Sequence, residues 1–191
     1  MKKKNLLIAF FLVSALYCDA QSAIPDPEFV NEVEYYDKAN NKLVRLEKSI
    51  SKQENKMKMA GMGGMKMMYK VEGEKSAVRI PASDNVSFVF GTGGGGNNNM
   101  MSMMDPSQMI SLYKMDVNKG NREAVTSSYA GMYGMGKTKE STKLTVGVKK
   151  IKDGLYEIIA DKPLGPGEYT FVMMNMGSQD GSYTLFSFGI N

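Results

Sequence analysis

Leu155-Tyr156-Glu157-Ile158-Ile159-Ala160, Asp161-Lys162-Pro163-Leu164-Gly165-Pro166-Gly167-Glu168 and Tyr169-Thr170-Phe171-Val172-Met173-Met174 follow one another without a break. The outer two runs are dense in aromatic and β-branched residues, which suit a pleated surface. The middle run holds two Pro and two Gly within eight residues, and neither type continues a strand or a helix there. Strand, connection, strand is therefore the reading.

The same rhythm extends in both directions. Downstream, a turn over 177–181 leads to a last strand over Ser182 to Ile190, with Tyr183 and Leu185 inward. Upstream, Leu144, Val146 and Val148 alternate with polar residues over 142–148. Further strands are expected over Phe29 to Tyr36, Lys42 to Glu47, Met67 to Val71, Ser76 to Ile80, Val86 to Phe90 and Ile110 to Val117, and Glu123 to Ser127 is open to another. Asp37 to Asn41 is expected to close a hairpin. Asp105-Pro106-Ser107-Gln108 suits one helical turn with Pro106 at its first position. Lys48 to Lys58, charged and polar, is open to a helix. No helical pattern alternates regularly with the strands, so α/β is disfavoured. The fold class expected is all-β, an antiparallel β-sandwich of eight to ten strands.

Pro166 and Gly167 prepare a turn, and Tyr169 stands just inside the next strand. That placement suits a tyrosine corner, in which the hydroxyl bonds back across the turn, and it points to an immunoglobulin-like sandwich. Gly/Met/Asn-rich loops are expected near 57–66, 91–104 and 128–142, inside a single domain over 21–191 with a flexible lead-in at 21–28.

The N-terminus reads as an export signal. Met1 to Asn5 carries three Lys, Leu6 to Leu16 is almost wholly apolar, and Cys18-Asp19-Ala20 closes with small residues where a signal peptidase reads. Cleavage after Ala20 is expected. The apolar run is short for a membrane span, and no span is expected after cleavage. Lipidation at Cys18 is disfavoured, because Tyr17 stands where a small residue is needed. The chain has 191 residues, one Cys, no His and no Trp, with a net charge of +4. Removing residues 1–20 takes away Lys2, Lys3, Lys4 and Asp19, so much of the apparent basicity belongs to the signal. Nucleic acid is accordingly not an expected partner. The exported part has no Cys and is held by its core rather than by disulfides. The setting expected is the periplasm or cell surface of a Gram-negative bacterium, with secretion into the medium left open.

Three segments resemble those of exported β-rich proteins of Bacteroidetes. These are Asn31-Glu32-Val33-Glu34-Tyr35-Tyr36, Gly73-Glu74-Lys75-Ser76-Ala77-Val78-Arg79, and Pro163 to Tyr169. The resemblance implies kinship over most of the exported chain. It brings no activity and no functional residue with it.

Absence of His removes the Ser-His-Asp triad, the Cys-His pair and His-based zinc. Gly93 to Gly96 lacks the Gly-Lys-Ser/Thr ending of a phosphate loop. Two carboxylates of a glycosidase need no motif, yet the chain is short and lacks a Trp platform. Asp84, Asp105, Asp153, Asp161 and Asp180 all sit beside turns, where side-chain caps account for them. The Lys run at 48, 52, 56 and 58 reads as a solvated face. No enzymatic activity is expected.

What stands out is 18 Met. Met57, Met59, Met62, Met65 and Met67 follow Met-x-Met and Met-x-x-Met spacing, and Met100, Met101, Met103 and Met104 form a second group. Thioethers are soft, uncharged donors that select Cu(I) or Ag(I) over hard cations. These nine residues are therefore the candidate metal ligands. Against that stand gap-filling in the core, expected for Met173 and Met174, drift within low-complexity loops, and an adaptable surface for protein contact. The leading expectation is a contact or structural role in the envelope, with a protein partner and no cofactor. A periplasmic Cu(I)/Ag(I)-binding protein is the alternative. Neither the partner nor the oligomeric state is fixed by the sequence.

Overall fold

A computed structural model describes residues 24–57, 64–83, 85–93, 105–129, 138–139, 141–174 and 180–191. The export signal, Met59, Met62 and Met100, Met101, Met103 and Met104 lie outside the described residues.

The described chain is all-β and mostly antiparallel, with fifteen strands and one helical turn. The strands are β1 (Val33–Asp37), β2 (Lys42–Arg45), β3 (Glu47–Ser51), β4 (Glu54–Met57), β5 (Met65–Glu72), β6 (Arg79–Ile80), β7 (Ser87–Gly91), β8 (Ile110–Asn118), β9 (Asn121–Tyr129), β10 (Thr138–Lys139), β11 (Lys143–Leu144), β12 (Val146–Lys152), β13 (Leu155–Ala160), β14 (Gly167–Met174) and β15 (Tyr183–Ile190). The helical turn α1 is Pro106–Met109, and Asp105 caps it by accepting from the Ser107 amide. Over the described part of the stretch expected to be open to a helix, Lys48 to Met57, the chain is not helical. Glu47, Ser49 and Ser51 alternate with the more exposed Lys48 and Ile50, a period-two pattern that β3 uses directly. The strand number exceeds the expected ten because several strands have only two to four residues.

β1, β2, β7, β12 and β13 form one sheet, in the order β12-β13-β7-β1-β2. The β1–β2 hairpin pairs Tyr36 with Leu43 and Asp37 with Lys42, and the Asp37 carboxylate accepts from the Ala39 and Asn40 amides in the turn. The larger sheet runs β3-β15-β14-β8-β9-β5-β4. Its two ends, β3 and β4, are successive stretches of chain with only Lys52 and Gln53 between them. The sheet therefore curls round on itself. The Lys70 amide donates to Ser51 Oγ across the gap (3.3 Å), and Gln53 Nε2 donates to Thr126 Oγ1 (3.0 Å).

Curling gives the large sheet two apolar faces with different partners. Its convex face presents Leu112, Phe171, Phe186 and Phe188 to Val33, Phe88, Phe90 and Ile158 of the smaller sheet, forming the main core. Phe88 meets Phe171 edge-on with centroids 4.8 Å apart. Its concave face folds over Tyr69, Val71, Tyr113, Met115, Ala124, Val172 and Leu185. A third cluster, Tyr36, Val89 and Leu155, lies on the far side of the smaller sheet, where Ile24 packs on it. Gly91 permits this approach, because a Cβ there would sit 2.7 Å from Pro27 Cγ.

One end of the concave interior is charged. Arg122 is 1% exposed and donates to both Glu47 oxygens (2.6 and 3.0 Å) and to the carbonyls of Glu72 and Gly73 (both 3.0 Å). Glu168 accepts from the Ser76 amide (2.8 Å) and is ion-paired with Arg79. Two of the three segments quoted above, 73–79 and 163–169, thus meet at Glu168 as a structural joint. Gly189 leaves room for it, since Arg79 lies over that glycine. The Tyr169 hydroxyl donates to the Gly165 carbonyl (2.7 Å), as a tyrosine corner requires.

Candidate methionine–tyrosine site

Lys56-Met57 and Met65-Lys66-Met67 alternate charged and apolar residues, and β4 and β5 bring them into register. Met57 stands directly opposite Met65, and Asn55 opposite Met67. On the other side of β5, Met65 faces Tyr129 and Met67 faces Ser127 of β9. Partners across a sheet share a face, as do residues two apart along a strand. Met57, Met65, Met67 and Tyr129 therefore lie together on one face. Lys56 and Lys66 take the other, where Lys66 Nζ is 2.6 Å from Glu123. Burial pushes the Glu123 carboxyl up, but the hydrogen bond and charge of Lys66 outweigh it and hold it below its ordinary range.

The methionine face grades from exposed to buried. Met57 is 70% and Tyr129 38% exposed, whereas Met65 and Met67 are half-buried. The same face of β5 then enters the concave interior at Tyr69. The Tyr69 ring lies 4.8 Å from that of Tyr183 and 6.4 Å from that of Tyr113. Burial first, then the hydrogen bond with Tyr183, pushes the Tyr69 phenol well up, and burial raises Tyr113. These phenols stay neutral at physiological pH and offer neither phenolate ligand nor base. Met174 ends β14 opposite Tyr183 and is 57% exposed, so only its neighbour Met173 fills the core as expected.

Of the nine candidate ligands, Met57, Met65 and Met67 are described and are brought onto one face. Strand alternation and register place them so, and Lys56 and Lys66 turn to the other face, where Glu123 pairs with both. The alternation at 56–57 and 65–67 was the available signal for this hairpin. Met68, adjacent in sequence to Met67, is on the opposite face and buried. Among the described residues, no group of three or more His, Cys, Asp or Glu side chains is placed to hold a metal ion.

Several carboxylates among the described residues are held by cations. Glu47 is matched to Arg122, Glu168 to Arg79, and Glu32 to Arg45 and Lys48. No helix among the described residues is long and apolar enough to cross a membrane. No family model matches the chain, and no curated protein and no solved structure is similar to it.

Proposed function

We propose that this is an exported envelope protein, kin to the Bacteroidetes proteins it resembles, that works by contact rather than by catalysis. Its exported part, 21–191, acts as one unit, and Met57, Met65, Met67 and Tyr129 are its contact face. The observation that carries this reading is the alignment of three thioethers and a tyrosine ring on one half-exposed face beside a strand edge. Met adapts its shape to varied partners, and Tyr supplies a rigid amphipathic ring. An immunoglobulin-like character for the sandwich is supported by the Tyr169–Gly165 hydrogen bond. Replacing Met57 and Met65 by Glu tests the contact role. Both changes fall on one face of a hairpin and leave the core untouched. The double variant should fold like the parent and lose its envelope crosslink. Retention of the crosslink would contradict the reading.

The direct opposition of Met57 and Met65 favours a second reading, a Cu(I)/Ag(I) site built from Met57, Met65 and Met67. Native mass spectrometry under reducing conditions should then show one retained Ag(I), lost in the triple Leu variant. Equal retention by parent and variant would remove these residues from the site.

A further inference from the structure

A cavity of about 450 Å³ opens where β11 and the 161–165 connection lie beside β8 and β14. It uses none of the methionines. Lys114, Lys143 and Lys162 line it, together with Leu144, Leu164 and Asp161.

The three lysines differ from seven others in the chain. Lys38, Lys48, Lys52, Lys56, Lys66, Lys150 and Lys152 each have a carboxylate within ion-pair distance. Among the described residues, Lys114, Lys143 and Lys162 have none. Lys114 Nζ instead stands 6.0 Å from the centroid of the Tyr169 ring. Three unpaired ammonium groups around one concavity leave a net positive potential there even after Asp161 is counted, and a concave wall focuses it.

We infer that this cavity binds a small acidic saccharide, one or two sugar rings carrying a carboxylate or a phosphate. The volume is that of an organic ligand site rather than a single oxyanion. Asp161 argues the same way: it would repel a bare anion, whereas a sugar presents hydroxyl donors for it to accept. Leu144, half-buried, offers aliphatic contact to a sugar ring. Tyr169 is buried and its ring stacks on Phe188, 5.5 Å between centroids, so no flat aromatic face is open to a nucleobase.

The test is a titration of the full chain, followed by amide chemical shifts at Lys143, Leu144, Thr145, Asp161, Lys162, Leu164 and Gly165. The probes are galacturonate dimer, glucose 1-phosphate, neutral cellobiose and inorganic phosphate. The expected result is saturable binding of at least one acidic sugar, weakened at high salt, with no shift for cellobiose. Changing Lys114, Lys143 and Lys162 together to Gln should weaken it at least tenfold. Lys75→Gln, outside the cavity, should leave it unchanged. Absence of acidic-sugar binding at millimolar concentration would overturn the inference. So would equal binding of cellobiose, inorganic phosphate binding as tightly as the sugars, or a triple variant that binds like the parent.

Discussion

Arg122→Met removes the guanidinium at the charged end of the curled sheet while keeping most of the side-chain stem. Four hydrogen bonds go with it: two to Glu47 and one each to the carbonyls of Glu72 and Gly73. Breaking a buried pair by removing one partner costs about 3–5 kcal/mol, because the other charge is stranded. The Glu47 side chain is 26% exposed, so water reaches part of it and the lower end of that range applies. The two carbonyls are left without their donor, at about 1–3 kcal/mol for a buried polar group. These contributions overlap, and a total of about 3–4 kcal/mol is expected. With a urea slope of about 2 kcal/mol/M, the midpoint falls by about 1.5–2 M. The chain has no Trp, so far-UV circular dichroism is the suitable probe. Adding Glu47→Leu to Arg122→Met should restore part of the loss, since no carboxylate is then stranded. A single-variant loss below about 1 kcal/mol, or a double variant no better than the single, would refute the joint as described.

Gly189→Ala should mimic loss of Arg79, because the new Cβ would collide with Arg79 Nη1 and force the guanidinium away from Glu168. A destabilisation of about 1–3 kcal/mol is expected in the same urea assay, and an unchanged midpoint would show that Arg79 relocates freely. Tyr169→Phe deletes the hydroxyl bond to Gly165 and should cost about 0.5–1.5 kcal/mol. For acid, burial raises Glu32 and Glu47, but hydrogen bonds from Lys48 and Arg45 to the first, and from Arg122 to the second, leave both below their ordinary values. Their contribution is full above the unfolded carboxylate range and is lost as pH falls through the lower folded values. The urea midpoint should therefore drop below about pH 4; a flat profile would contradict these pairings. Glu34 behaves oppositely. Burial, then the neighbouring Glu32 charge, pushes its carboxyl up, so stability is lost as pH rises through its folded value. Glu34→Gln should raise the midpoint at pH 7 and leave it unchanged near pH 3, whereas a loss at pH 7 would count against a strained carboxylate.

The strands of the last fifty residues were legible because their alternation is clean and Gly and Pro punctuate it. Val86 to Phe90 was legible for its aromatic and β-branched density. Lys48 to Lys58 was not. Its charges hide a half-buried strand whose inward side chains are the small Ser49 and Ser51 and the ion-paired Glu47. Helix and strand could not be told apart there by hydrophobicity. The curl of the large sheet was also hidden, because one chain segment pairs locally with β5 at one end and with β15, remote in sequence, at the other. At the candidate site the Met spacing was visible but the shared face was not. It follows from the register of β4 on β5, which the pull of Glu123 on Lys56 and Lys66 helps to fix. The lysine-lined cavity left no sequence signal, since Lys114, Lys143 and Lys162 come from three separate segments.

Site-specific photo-crosslinking in the envelope of cells that export the protein tests the contact function most directly. A photoreactive group at position 57, on the methionine face, is compared with one at position 117 on β8, which is also exposed. The account predicts a discrete heavier adduct from position 57, abolished by Met65→Glu, and none from position 117. Monomer alone at position 57, or an adduct that survives Met65→Glu, would contradict it.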